Sequence, residues 1–206
     1  MHVQYGCGHH APVEWLNFDA SPTLRWERLP LLGRYTKNQH RFPESVRFGD
    51  IVTGLPTPDA SCVGVYASHI LEHLALNDFH TALRNTRKLL KPGGIFRLVV
   101  PDLEQAARNY LLKLDERDAA ANFGFLTATC LGVTEKERGP LKAIWRGLRT
   151  SAHLWMWDEL SMTNALRQHG FSQIRKCQFG DCKDPMFRLV EDPSRFEDAL
   201  AIEAST

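Results

Sequence analysis

Several absences narrow the reading first. No two of the five cysteines, Cys7, Cys62, Cys130, Cys177 and Cys182, have C-x-x-C spacing, and their number is odd. No disulfide framework is indicated, and reduced thiols in a cytoplasmic compartment are expected. No apolar run approaches the roughly 18 residues of a membrane span. The N-terminal residues show strand pattern rather than a basic and apolar leader, so no signal segment is expected. No sign of charge dominates, because 25 basic residues face 24 acidic ones. With a net charge of +1, no global field points to nucleic acid, although Arg25, Arg28, Arg34, Lys37 and Arg41 could form a local basic patch. No repeat or low-complexity tract stands out. A third glycine is also missing near the start, where the chain reads Gly6-Cys7-Gly8-His9-His10-Ala11. A pyrophosphate cradle needs G-x-G-x-x-G running into a helix. The shorter form argues against NAD and for a nucleoside without phosphates.

What is present reads as alternating strands and helices. The 206 residues, 43% hydrophobic, suffice for one sizeable core, and one domain over residues 1–206 is expected. Val3-Gln4-Tyr5 is a short strand ending in the glycine turn. Trp15-Leu16-Asn17-Phe18 is a second strand closing on Asp19, and Val46-Arg47-Phe48 a third closing on Asp50. Prolines 22, 30 and 43 break up residues 21–45. Residues 62–67 form a continuous apolar run, as a strand buried on both faces should. Residues 68–76 read as helical, and Asp78 reads as the cap of a helix carrying Phe79, Ala82, Leu83, Thr86, Leu89 and Leu90. Lys91-Pro92-Gly93-Gly94 stops that helix, with both glycines expected at positive φ, and residues 95–100 form the next strand. Pro101-Asp102 opens a helical region to about residue 122. Gly139-Pro140 breaks the chain, and residues 141–150 form a short basic helix around Trp145. Asp158 caps a helix ending before Gly170, and strands begin at about 171 and 199. Strands joined by helical crossovers imply a parallel sheet.

The acids at the strand ends carry the chemistry. A glycine turn lets backbone approach a ligand, because no Cβ intervenes. A carboxylate after the second strand can accept both ribose hydroxyls, and one after the third can accept from an exocyclic amine. Gly6, Gly8, Asp19 and Asp50 together fit an adenosine.

The order of motifs makes the chain resemble class I S-adenosylmethionine-dependent methyltransferases, in particular the small group near the type 11 methyltransferase domain. The matching segments are Gly6-Cys7-Gly8 with Trp15-Leu16-Asn17-Phe18-Asp19, Asp50-Ile51 with residues 55–61, Tyr66 to Leu74 as Y-A-S-H-x-L-E-H-L, Arg87 to Gly94 with Val100-Pro101-Asp102, and Leu166 to Phe171. The family usually has a helix before its first strand and Phe-Asp opening its fourth, where this chain has Cys62-Val63. The resemblance implies a three-layer α/β Rossmann-like methyltransferase fold of about seven strands, mainly parallel, with the last antiparallel. It implies S-adenosyl-L-methionine as cofactor. Tyr5, Gly6, Cys7 and Gly8 would lie by its methionine part, Asp19 by the ribose, Asp50 and Ile51 by the adenine, and Ser68 and His69 near the sulfonium. Residues 103–160 would form a helical cover. The acceptor would be a small molecule such as a sugar, lipid or secondary metabolite, and the protein a monomer or homodimer. His69 and His153 are the candidate general bases, and Asp102 and Trp155 the candidate substrate contacts.

Plainer readings compete. Asp19, Asp50 and Asp102 could be caps, His73 and His153 ordinary histidines, and one of Trp155 and Trp157 core. A cofactor-binding accessory protein without turnover is a second reading. A third is a zinc hydrolase, because His69-Ile70-Leu71-Glu72-His73 matches H-x-x-E-H. No distal third ligand is indicated in the sequence, and no metal is expected.

Overall fold

The computed structural model describes residues 1–29, 41–132 and 152–206. The expected break at Gly139-Pro140 and the basic helix over 141–150 lie outside these, as do Pro30, Arg34 and Lys37.

Seven strands form one sheet in the order β3-β2-β1-β4-β5-β7-β6. They are β1 (His2–Tyr5), β2 (Leu16–Asp19), β3 (Val46–Phe48), β4 (Cys62–Ser68), β5 (Leu90–Pro101), β6 (Ser172–Cys177) and β7 (Ala199–Ser205). β1 to β5 run parallel. β7 runs antiparallel to both β5 and β6, so the expected Rossmann-like fold with its reversed last strand is present. The chain starts in the middle of the sheet, steps outward through β2 and β3, then returns to β4 on the other side of β1. That reversal opens a crevice at the carboxyl ends of β1 and β4.

Alternation along the strands feeds two cores. Val65, Ala67, Leu98, Val100, Leu200 and Ile202 face one side. There they meet Phe79, Ala82 and Leu83 of α2 (Leu76–Leu89) together with Met162 and Leu166 of the later helix Glu159–Gln168. Tyr66, Val99 and Ala201 face the other side. They are covered by Trp15, Phe187 and Val190, with Phe196 at the edge. Phe187 and Phe196 come from the 3-10 turns Pro185–Leu189 and Pro193–Phe196. The run expected to be buried on both faces is so at five of its first six residues, with Val63 outside at 38% exposed.

Local details correct some boundaries. The prolines of the second connection leave only a short helix, α1 (Pro22–Glu27), capped by Ser21 and started by Pro22. Asp78 does not cap α2; Ala75 stands at that position with no side-chain hydrogen bond, and Asp78 sits in the first turn. An acid there still meets the positive helix end favourably. Of the two glycines after α2, only Gly93 has positive φ, at 76°. Gly94 is needed for space, since a Cβ would lie 2.9 Å from the Lys91 carbonyl. The helical region after Asp102 divides into α3 (Leu103–Asp115) and α4 (Ala121–Ala128). Asp158 caps α5 (Glu159–Gln168) in a reciprocal box with Ser161.

Candidate active site

The carboxyl ends of β1 to β3 and the segment after β4 enclose a cavity of about 340 Å³. Tyr5, Gly6, Asp19, Asp50 and Ile51 line it, all expected from sequence, and so do Ser21, Ile70 and His73. The two glycines serve different ends. Both are left-handed, with φ of 67° at Gly6 and 55° at Gly8. A Cβ on Gly6 would lie 2.0 Å from Ile70 Cγ1, whereas one on Gly8 would meet nothing within 4 Å. Gly6 is therefore kept small by the protein's own Ile70. Gly8 turns its backbone so that its N–H donates to Asp19 Oδ2 at 3.0 Å.

Asp19 is held from both sides. The Ser21 N–H donates to its other oxygen at 2.7 Å. A carboxylate has about four acceptor positions, so two remain for hydroxyl groups in the cavity. Asp50 accepts from the Val52 N–H at 2.8 Å. Asn85 on α2 donates to the carbonyls of Ile51 and Val52 at 2.8 and 3.1 Å, fixing the turn that carries both. Tyr5 turns its hydroxyl to Thr86 at 3.1 Å, and burial raises its pKa. Cys7 is also a thiol, pushed up to about 12 by burial and the nearby Asp19 charge. Cys7 and Ser68 line a smaller depression with His10, Tyr66 and Arg195, which adjoins the main cavity at Tyr5 and Gly6.

The segment after β4 departs from expectation. Residues 68–76 do not form an α-helix; only the 3-10 turn Leu71–His73 is helical, and His69 has φ of 53°. The two histidines of H-x-x-E-H are thus not stacked one helical turn apart, and the hydrolase reading loses its scaffold. His69 instead lies between Arg195, whose carbonyl its Nε2 approaches at 2.9 Å, and Glu72, whose Oε1 is 3.2 Å from its Nδ1. Burial acts to lower its pKa, but the hydrogen bonds to Glu72 and the Arg195 carbonyl prevail and raise it. His153 is different: burial lowers its pKa.

His73, set aside in the sequence as a structural residue, lines the cavity, and its ring centroid is 5.2 Å from that of His153. The backbone N–H groups of Leu154 and Trp155 both donate to the Glu72 carbonyl, at 2.7 and 3.2 Å, which brings this distant stretch here. Trp157 is the core member of its pair, stacked on Phe79 with centroids 4.1 Å apart. Trp155 is 44% exposed. Asp102 caps α3, accepting from the Gln105 N–H at 3.2 Å, and lies 3.7 Å from Lys176 Nζ. Neither Asp102 nor Trp155 is among the residues lining the main cavity.

An acceptor-only carboxylate with spare lone pairs, a second acid across the pocket and a glycine turn with open space fit an adenosine-containing cofactor. A methyltransferase-domain profile matches residues 4–176. The chain belongs to the methyltransferase-domain family. Among solved structures it is similar to an S-adenosylmethionine-dependent methyltransferase from Archaeoglobus fulgidus, with 14% identity, TM-score 0.54, and 100% of this chain and 85% of that one covered. A Thermotoga maritima methyltransferase, described as a possible histamine N-methyltransferase, shares 14% identity over 100% of this chain and 81% of that one, with TM-score 0.51. A third, with 16% identity and TM-score 0.50 over 99% and 80%, is a Haloferax volcanii methyltransferase in complex with the Trm112 activator. No curated protein matches. No helix among the described residues is long and apolar enough to cross a membrane.

Proposed function

We propose that this methyltransferase holds S-adenosylmethionine in the cavity at the ends of β1 to β3 and transfers the methyl group to a small-molecule acceptor. The observation that carries the reading is the Asp19 carboxylate, preoriented by the Gly8 and Ser21 N–H groups on the cavity wall. Its free lone pairs would accept the ribose hydroxyls. Asp50 and Ile51 would bound the adenine, and Tyr5, Gly6, Cys7 and Gly8 the methionine part. Ser68 and His69 would stand nearest the sulfonium, which supplies the methyl group when bound. The acceptor, of sugar, lipid or secondary-metabolite type, would be covered by α3 and α4 and aligned for in-line displacement. Such catalysis rests chiefly on proximity and orientation. Near-balanced charge supports a small acceptor over nucleic acid.

Calorimetry with S-adenosylhomocysteine tests the reading. One ligand per chain is expected, and no binding at millimolar concentration would sink it. Turnover against a metabolite panel then tests the acceptor class; tight binding with no turnover on any compound would favour the accessory role.

A further inference from the structure

Glu72 is 1% exposed; His69 Nδ1 lies 3.2 Å from its Oε1, and among the described residues its Oε2 has no hydrogen-bond partner. A buried carboxylate with an oxygen left unanswered is costly. Three imidazoles surround it, each steadied by a backbone carbonyl. A carbonyl only accepts, so the ring nitrogen facing it must carry the proton and the other ring nitrogen is left with its lone pair. For His73, Nδ1 donates to the Ala152 carbonyl at 3.1 Å, so the lone pair is on Nε2, which is 4.0 Å from Glu72 Oε1. The His153 ring meets the Thr129 carbonyl, and its Nδ1 is buried with no partner. His69 donates from Nε2 to the Arg195 carbonyl and turns Nδ1 toward the same carboxylate.

We propose that Glu72, His73 and His153 form a binding site for a divalent transition-metal ion of the zinc class, set in the wall of the cofactor cavity. One donor atom from each lies within 4.8 Å of the others. Ligands about 2.1 Å from a single zinc sit roughly 3.4 Å apart, so small side-chain rotations close the set. Two imidazoles and one carboxylate suit zinc or iron(II) and leave coordination positions open. The carbonyls behind the rings are the outer partners that fix the tautomer of metal-binding histidines. The distal ligand missing from the linear motif is thus His153, brought in by the Leu154 and Trp155 hydrogen bonds to Glu72. His69 stands beside the site, its Nδ1 on the same carboxylate.

The role of the ion rests on the proposed transfer reaction. An acceptor hydroxyl bound at an open position would lose its proton to solvent. Its oxygen would then form the new bond to the methyl carbon as the carbon–sulfur bond breaks, leaving a neutral thioether. This use of the His153 lone pair excludes a separate role for it as a free general base.

The test uses the full chain, stripped with a chelator and titrated calorimetrically with zinc, with magnesium as the hard-ion control. S-adenosylhomocysteine binding is measured on the same sample. One zinc per chain and at least tenfold weaker magnesium are expected. His153→Gln and Glu72→Gln should each weaken zinc at least a hundredfold, with folding of each variant checked by a cooperative thermal transition. Cobalt(II) added to the unsubstituted protein provides a reading that needs no variant: an intense visible band of four- or five-coordinate cobalt is expected. Absence of zinc binding, the weak spectrum of hydrated cobalt, or zinc affinity untouched by both substitutions overturns the site. Loss of S-adenosylhomocysteine binding with zinc retained would overturn the cofactor reading and leave the metal site standing.

Discussion

Two buried clusters of ionisable groups in this molecule are built in opposite ways. In one, Arg97 on β5 is fully buried. It donates to Glu191 and Glu203, and to the carbonyls of Asp181 and Gln178 at 2.8 Å each. Arg175 on β6 adds a second donor to Glu203, and the Gly180 N–H donates to Glu191 at 2.8 Å. Every acid in this cluster is answered. It ties β5, β6 and β7 to the chain that covers them. In the other cluster, Glu72 is as deeply buried, yet no arginine, lysine or backbone N–H answers it among the described residues and its neighbours are histidines. A saturated polar network consumes its groups in holding the fold. An unsaturated one keeps groups available for a ligand.

Substitutions should divide along the same line. Arg97→Met would leave Glu191 buried without its cation and Glu203 with Arg175 alone. We expect a loss of about 3–5 kcal/mol in urea denaturation, and a loss under about 1 kcal/mol would show that the network is dispensable. Gly6→Ala comes next, because its Cβ would collide with Ile70 at a left-handed φ. A cost of about 2–3 kcal/mol is expected, against roughly 1 kcal/mol for Gly8→Ala, which meets only the backbone strain; equal costs would remove the distinction between the two glycines. Asp19→Asn should act on binding. Loss of a charged acceptor corresponds to about 1.5–3 kcal/mol, read calorimetrically as S-adenosylhomocysteine affinity falling ten- to a hundredfold. Glu72→Gln removes a buried charge that only histidines face in the metal-free protein, so its unfolding free energy from urea denaturation should stay within about 1 kcal/mol of the parent or rise. A large loss would place Glu72 with the structural acids.

The smallest effect is in pH. Burial acts to raise the pKa of Asp184, but the hydrogen bonds from His2 at 2.7 Å and from the Met186 N–H prevail and lower it. A lowered folded pKa gives stability that is present above the unfolded value, about 4. It is lost as pH falls through the folded value. Denaturation of Asp184→Asn should therefore show a shallower decline than the parent below about pH 4.

Much of this molecule was legible in one dimension. Alternating apolar runs, the turn Gly6-Cys7-Gly8 and the acids after β2 and β3 depend on neighbours within a few residues. Gly6, Asp19 and Asp50 were named on that basis, Tyr5 and Ile51 through the family resemblance, and the five line the cavity together. Residues 68–76 misled because helical spacing of Ile70, Leu71 and Leu74 is also satisfied by a tight 3-10 turn that seats Ile70 on Gly6. Asp78 misled because a good cap residue two places inside a helix looks the same in the sequence as one at its start. The network around Arg97 left no signal, since its partners lie 81 to 106 residues further along the chain.

Local pattern therefore determined the strands, the glycine turn and the acids at the ends of β2 and β3. Packing alone decided that Gly6 is kept small by Ile70 while Gly8 meets nothing, which buried acids are neutralised, and that His153 stands beside Glu72 and His73. The physical reason is one of range. Backbone conformation and side-chain alternation are set by adjacent residues, whereas saturation of a buried charge depends on which distant groups the fold delivers to it.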